Sequence, residues 1–542
     1  MKRASAVRAP RADLPALALL ATAFVLRALV ISRGHQLDID EADTALKVAK
    51  PVGALLADLA RDGHPPLYFL LLKGWTNLLG NAEASLRALS ALFSLAECAL
   101  LILVGRRLFG RAAGLTAGAL FALSPIEIFH ATEGRMYTLL PLEALGVFAL
   151  TERLLRGEAA GRVRDALLLL GLLVAALYTH NYGLFFPLAT AAAFAAAAVA
   201  RLRAGGARAA LRTLALPAAI VAAAYAAYLP WLPVLEGQRA SRAHDWLVAF
   251  FDATPPILAI PHSVAALAAV GPYPRIAPPL EGADPLRPVA LPLCLLFLVA
   301  GAAACLRRRN GDGRGERDEE DARGARAGRD AGRVALLVFP AVFLGAPWLV
   351  SVTVKVVYLV GRYDVVALPF LLLLLGAGAA AVVARHRALA VLAVAFLAAA
   401  LPGIAALASQ HRGGFSVDQV AIVAARPHSR AVVATVLSGS RMRYYLERAG
   451  RTDVLVRSFP TATDAHSGWL EKRDPADPNL AADADSLAAA LAGALRPGEI
   501  LWATIFDDDA TKPVLVHALA RRFAADAEAT RFDMALLAVR KE

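Results

Sequence analysis

Three observations make the 542-residue sequence a polytopic α-helical membrane protein that ends in a small α/β unit. Hydrophobic residues make up 58% of the chain and the mean hydropathy is +0.54, beyond the roughly 45–50% apolar content of soluble domains. Apolar runs of spanning length, about 17–25 residues, recur up to about residue 408. Past about residue 410 the runs shorten, and strand-like segments alternate with helix-like ones.

The apolar runs fall at 14–33, 86–105, 114–130, 137–153, 166–182, 183–200, 213–232, 287–306, 334–352, 365–384 and 388–408, giving about eleven spans. The weakest boundary is THNYG at 179–183. Basic residues gather in every second connection: Arg106, Arg107 and Arg111, then Arg153 to Arg164, Arg201 to Arg212, Arg307 to Arg333, and Arg385 with Arg387. That alternation predicts a cytoplasmic N-terminus, an extracytoplasmic first loop at 34–85 and an extracytoplasmic C-terminal unit. MKRASAVRAPR before the first run lacks a small-x-small cleavage site, so the first helix is expected to remain uncleaved. The abundance of Ala and Arg is that of a high-GC bacterial gene, which points to a bacterial inner membrane.

The formal charge of +12 and pI near 9.9 do not indicate a nucleic-acid partner, because the positive residues sit in short clusters between apolar runs. Cys98, Cys294 and Cys305 all lie within apolar runs and read as small hydrophobes, not a disulfide framework. The insert at 307–333 mixes both charge signs with glycine and is expected to be disordered. A membrane domain is therefore expected at 1–410 and an α/β domain at 411–542, with a largely parallel sheet built from VVATVLSG, TDVLVRSFP, EILWATIFD and FDMALLAVR.

The chemistry-bearing stretch is the polar interlude at 38–68, longer than a connection between two helices needs to be. Asp40 and Glu41 stand a few residues past the first span, where adjacent carboxylates suit a general base or a divalent-cation ligand. The same pair also suits the positive end of a helix dipole. His64-Pro65-Pro66 fixes the chain rigidly, either to aim His64 or simply to start the next helix. SPIEIFHATEGRMYTLL supplies Glu127, His130, Glu133, Arg135 and Tyr137 on the same predicted face. Two acidic loops and an arginine at one surface would accommodate a phosphate leaving group and an acceptor hydroxyl.

Arg362 suits either such a site or interfacial anchoring, which is the simpler reading for Lys355. His180-Asn181-Tyr182 either lines the cavity or caps a helix. Glu97, Glu143 and Arg27 fall inside apolar runs and are expected to face the bundle interior. The long loop 233–286, with His244, Asp245 and Trp246, reads as an interfacial lid. Gly439-Ser440 and Asp507-Asp508-Asp509 are phosphate- and cation-like fragments in the C-terminal unit, each equally readable as an ordinary strand-end loop.

An ordered set of motifs then carries a resemblance: Asp-Glu-Ala at 40–42, DGHPPLY at 62–68, RRLFGRAAG at 106–114, Ser-Pro at 124–125, EGRMY at 133–137, and Gly-Arg-Tyr at 361–363 followed by Pro369. The sequence resembles GT-C glycosyltransferases of the dolichyl-phosphate-mannose–protein mannosyltransferase-like group, which includes bacterial aminoarabinose transferases (glycosyltransferase family 39 type). The resemblance implies inverting transfer from a polyprenyl-phosphate sugar to a lipid, glycan or protein acceptor outside the cytoplasm. It makes Asp40 the general base, Glu41 its companion and Glu133 a second acid. His64, Arg135, Tyr137, His180 and Arg362 become substrate-binding candidates. A divalent metal, if one is used, would lie between Asp40 and Glu133. Glu-Gly-Arg stands where bacterial members usually read Glu-Ala-Arg, and the glycine is expected to loosen that turn. The rivals from other classes are a secondary transporter or lipid flippase, for which no internal repeat is visible, and a membrane scaffold displaying its C-terminal unit.

Overall fold

A computed structural model describes residues 13–157, 161–203, 206–240, 246–252, 255–268, 286–307, 319–409, 415–435, 439–461, 478–506, 511–531 and 534–540. Each predicted apolar run coincides with helix, beginning with Leu14–Ser32 and Glu83–Phe109. Among the described residues eight helices are long and apolar enough to cross a membrane, short of the eleven expected. A ninth is reached if the pair Arg111–Leu123 and Pro125–Ala131, bent by 62° at Ser124-Pro125, is one span. Leu139–Arg156 and Arg162–Thr179 are helices of 18 residues that carry Glu143, Glu152, Arg153 and Arg156, and Arg162, Arg164 and Asp165. Those charges remove the uncharged window that a span of ordinary length requires.

The hub is Asp364–Arg385, 83% buried, whereas the first helix is only 17% buried and sits at the periphery. Small residues let neighbours approach the hub: a Cβ added at Gly378 would overlap the carbonyl oxygen of Phe297, and one at Gly301 that of Leu374. At one end of the bundle the basic loops meet. Arg106 and Arg111 pair with Asp13, Arg107 and Arg156 with Glu152, and Arg153 with Asp165. Arg333 donates to the carbonyl of Leu108 at 3.1 Å at the same end. The expected disordered insert is corrected in part. Residues 308–318 lie outside the described residues, but helix Glu319–Thr353 begins within it, its alternating charges standing at helical spacing as in the Asp330–Arg333 pair.

At the opposite end, the polar interlude folds into three short helices: Ile39–Ala49, called here the acidic helix, then Val52–Asp62 and Leu67–Leu79. Gly63, at φ +87°, ends the second in the left-handed conformation before His64-Pro65-Pro66 starts the third. Of the expected lid, Gln238 donates to the carbonyls of Leu59 and Ala60, while His244 and Asp245 lie outside the described residues. THNYG is a real break: His180 is extended between helix Arg162–Thr179 and the 3-10 turn Asn181–Leu184.

The C-terminal unit packs on this same end. The expected boundary at 410 and 411 lies outside the described residues, as do Asp507, Asp508 and Asp509. Its strands are β1 (Ser429–Thr435), β2 (Leu455–Phe459), β3 (Ile500–Phe506), β4 (Ala524–Arg531) and β5 (Met534–Arg540), in the order β2-β1-β3-β5-β4. The β1–β2 and β1–β3 pairings are parallel, but β3–β5 and β4–β5 are antiparallel, so the sheet is mixed, not largely parallel. The missed strand is β4, whose Ala-rich sequence AADAEATR has helical propensity and no branched run. Side chains alternate across the sheet. Val433 and Leu501 pack under helices Pro478–Ala494 and Lys512–Ala520, while Val432 and Trp502 on the other face join the main core beside helix Gly439–Arg448.

Candidate active site

The acidic helix begins with a capping box. The Asp38 carboxylate accepts from the Glu41 amide at 2.8 Å, and Glu41 accepts from the Asp38 amide at 3.1 Å. Glu41 points inward and forms a two-pronged pair with Arg87 of helix Glu83–Phe109, at 2.8 and 2.7 Å, and also accepts from the Gly134 amide at 2.8 Å. Arg87 donates further to the carbonyls of His35 and Gln36. With both oxygens engaged and the side chain 1% exposed, Glu41 is a structural clamp that fixes the start of the acidic helix. This geometry moves it from the catalytic pair that sequence reasoning expected to a supporting position. The Gly134 turn is held by that amide contact, not loosened. A Cβ at Gly134 would meet Leu86 at 3.4 Å, ordinary contact, so alanine would fit as well.

Asp40 faces the other way and is a third exposed. Its carboxylate pairs with the Arg362 guanidinium, which also donates to the Tyr137 hydroxyl at 2.7 Å and lies over the Tyr137 ring. Arg135 reaches the acidic helix from the 132–138 connection, donating to Thr44 Oγ1 at 2.9 Å and to His64 Nε2 at 3.1 Å. That second bond makes His64 an acceptor at Nε2, hence neutral there. The connection itself is pinned to helix Glu83–Phe109, where Ser90 donates to the Arg135 carbonyl and Thr138 to the Ser90 carbonyl, both at 2.9 Å.

Glu133 lies 3.0 Å from His130 Nδ1, and His130 Nε2 lies 2.9 Å from the carbonyl oxygen of Gly361, the residue before Arg362. The second acid is thus tied to the arginine that holds the first. His180, 4% exposed, packs against Tyr363 with ring centroids 5.0 Å apart and planes tilted by 53°, and lies 6.0 Å from the His64 ring. Asn181 donates to the Gly63 carbonyl at 2.9 Å, bringing the THNYG break beside the His64 turn. Residues from five separate stretches of sequence, around 40, 64, 135, 180 and 362, therefore surround one partly open point at Asp40.

Burial opposes ionisation of Asp40, but the charges of Arg362 and Arg135 and the Arg362 hydrogen bond outweigh it and hold the carboxyl well below the usual carboxylate range. Asp38 behaves oppositely: burial, and then the charges of Glu41, Asp40 and Glu133, push it up to about 7. For Arg135, burial works against the charge, yet Asp40 and its other neighbours keep it firmly protonated. Asp40 is paired with a guanidinium and Glu133 with an imidazole.

Sequence reasoning missed Arg87, which lay in plain view as a charge within an apolar run. It noted His130 without a role, although its i,i+3 spacing from Glu133 was the available signal. Thr44 carried no signal of its own, and Tyr363 was noted only as part of Gly-Arg-Tyr at 361–363.

Residues 63–236 match the family model described as dolichyl-phosphate-mannose-protein mannosyltransferase. No curated protein matches the chain in sequence. Among solved structures, the archaeal oligosaccharyltransferase AglB from Archaeoglobus fulgidus, in complex with an inhibitory peptide and a dolichol-phosphate, is similar at TM-score 0.52 and 11% identity, over 96% of this chain and 74% of that one. ArnT from Cupriavidus metallidurans bound to undecaprenyl phosphate is similar at TM-score 0.47 and 15% identity, over 96% of this chain and 97% of that one. The chain thus has the GT-C glycosyltransferase fold and, over residues 63–236, carries the sequence signature of the dolichyl-phosphate-mannose-protein mannosyltransferase family.

Proposed function

We propose that the protein is a membrane glycosyltransferase that moves a sugar, hexosyl or pentosyl and mannosyl-like, from a polyprenyl-phosphate donor to the hydroxyl of a lipid, glycan or protein acceptor. It acts with inversion at the extracytoplasmic face of a bacterial inner membrane, with its N-terminus in the cytoplasm. The observation that carries this reading is the Asp40 carboxylate held among Arg362, Arg135 and His64 at a partly open point of the bundle end. A base and an anion-binding group side by side are what transfer from a phosphate ester requires. The family match over residues 63–236 includes His64, Glu133, Arg135, Tyr137 and His180, and the similar archaeal protein holds a dolichol-phosphate.

The polyprenyl tail lies against the apolar helices and its phosphate reaches Arg362 and Arg135. Guanidinium groups match phosphate oxygens in two-pronged fashion, so the donor takes Arg362 away from Asp40. Asp40, which Arg362 and Arg135 make a poor base in the free enzyme, then becomes more basic. It accepts the acceptor hydroxyl's proton as the acceptor oxygen bonds the anomeric carbon from the face opposite the phosphate. The bond between that carbon and the phosphate oxygen breaks, and the polyprenyl phosphate leaves with the electron pair, its charge met by the two arginines. Transfer measured with and without EDTA tells whether a divalent cation takes part between Asp40 and Glu133.

The test is a reconstituted assay with polyprenyl-phosphate sugars, together with mass spectrometry of envelope glycans and glycoproteins with and without the gene. Loss of one glycan class on deletion, restored by wild type, supports the proposal. Unchanged glycans in cells that make the protein would favour a transporter or flippase.

A further inference from the structure

The mechanism uses none of the contacts between the C-terminal unit and the membrane domain, yet two of them fall on Gln36 and Leu37, just ahead of Asp40, and two on the start of helix Glu83–Phe109, at Asn81 and Glu83. Helix Gly439–Arg448 packs against the acidic helix. The Tyr445 hydroxyl accepts from the Leu37 amide at 2.8 Å and donates to Glu83 Oε1 at 2.8 Å. Tyr444 donates to the Asn81 carbonyl at 2.9 Å, and the Val417 amide donates to Gln36 Oε1 at 3.2 Å. Tyr445 is 6% exposed.

Glu83 and Arg87 stand one turn apart on one helix. Arg87 donates to the carbonyls of His35 and Gln36 and to the Glu41 carboxylate. Tyr445 accepts from the next amide, Leu37, and donates to Glu83. The segment 35–41 is therefore held by two elements, helix Glu83–Phe109 and the C-terminal unit's helix Gly439–Arg448, and Asp40 lies within it. A tyrosine hydroxyl can accept and donate at once, which neither phenylalanine nor a carboxylate can do.

We propose that the C-terminal unit is a clamp on the acidic helix and that Tyr445 is a positioning residue for Asp40, acting through Leu37; as a claim about the reaction this rests on the function proposed above. The unit thereby becomes part of the active site without touching substrate. Anything that shifts helix Gly439–Arg448 relative to Glu83 moves the base.

The test uses the full chain in detergent or nanodiscs, with hydrogen exchange of residues 35–42 read beside transfer kinetics and thermal unfolding. Tyr445→Phe, which removes the hydroxyl's bonds to Leu37 and Glu83, is expected to speed exchange at Leu37 and the first turn of the acidic helix, and to lower kcat about tenfold. Donor KM and the unfolding midpoint should stay unchanged. Glu83→Gln, which retains an acceptor for the Tyr445 hydroxyl, should keep more activity than Glu83→Ala. Unchanged exchange at Leu37 overturns the clamp. Faster exchange with an unchanged kcat, or a fall in kcat matched by a fall in unfolding midpoint, overturns the positioning role. Should the wild type transfer no sugar from any polyprenyl-phosphate donor, the proposed function fails while the exchange result still judges the clamp.

Discussion

Adjacent in sequence, Asp40 and Glu41 are opposite in role, and the helix explains why. Successive side chains on a helix point about 100° apart, so one acid of the pair meets Arg87 in the interior and the other meets the open site. Glu41→Gln removes the charge that balances a buried guanidinium, a loss of about 3–5 kcal/mol for breaking such a pair, so the thermal midpoint should fall sharply. Arg362→Ala acts elsewhere: removing one donor to developing charge lowers kcat about 10²–10³-fold, a loss beyond what its broken contacts with Asp40 and Tyr137 cost in stability. Arg362→Lys should recover only part of this loss, since an ammonium lacks the two-pronged geometry. The depressed pKa of Asp40 also has a kinetic signature. The acid limb of kcat/KM, which reports the free enzyme, should lie lower than that of kcat, because the bound donor phosphate draws Arg362 away.

The acidic helix, taken as an element, carries two acids with opposite linkage to pH. Asp38 titrates near 7 in the folded chain against 3.8 unfolded, so the folded state keeps a proton there that the unfolded state has lost. Its contribution therefore falls as pH rises from about 4 to about 7. Asp38→Asn keeps an N-cap acceptor and should flatten that part of the stability profile, measured by thermal unfolding across the range. Asp40, with its pKa lowered, contributes stability that is present at neutral pH and lost only below about 4. The capping box itself was legible in the sequence only as the weaker alternative of a helix start. The helix start is there, and within the interlude one residue caps, another pairs with Arg87 and a third is partly exposed beside Arg362.

Across the whole molecule, apolar run length was enough to find the long apolar helices, since it is a local property. Eight of them among the described residues are long and apolar enough to cross a membrane against eleven expected, because charges sit inside helices such as Leu139–Arg156 and Arg162–Thr179. The site motifs at 40, 64, 133–137 and 361–363 were legible as types, but their meeting depends on long-range contacts such as His130 to Gly361, which no local pattern encodes. The mixed sheet was missed for the same reason: β4 acquires its conformation by pairing with β5, against its own propensity. Close packing around the hub makes a further prediction. Gly378→Val should prevent the approach of helix Arg287–Leu306 and lower yield of folded protein, read by size-exclusion profile, whereas Gly74→Ala, with open space around it, should be neutral.

The most direct measurement is transfer by purified Asp40→Asn. The amide cannot accept the acceptor's proton but occupies nearly the same volume, so the protein should still fold, with a midpoint lowered only by loss of the Arg362 pair, while kcat measured on folded protein falls about 10²–10⁴-fold, the usual span of general-base catalysis. A folded Asp40→Asn protein that transfers sugar at the wild-type rate would contradict the account.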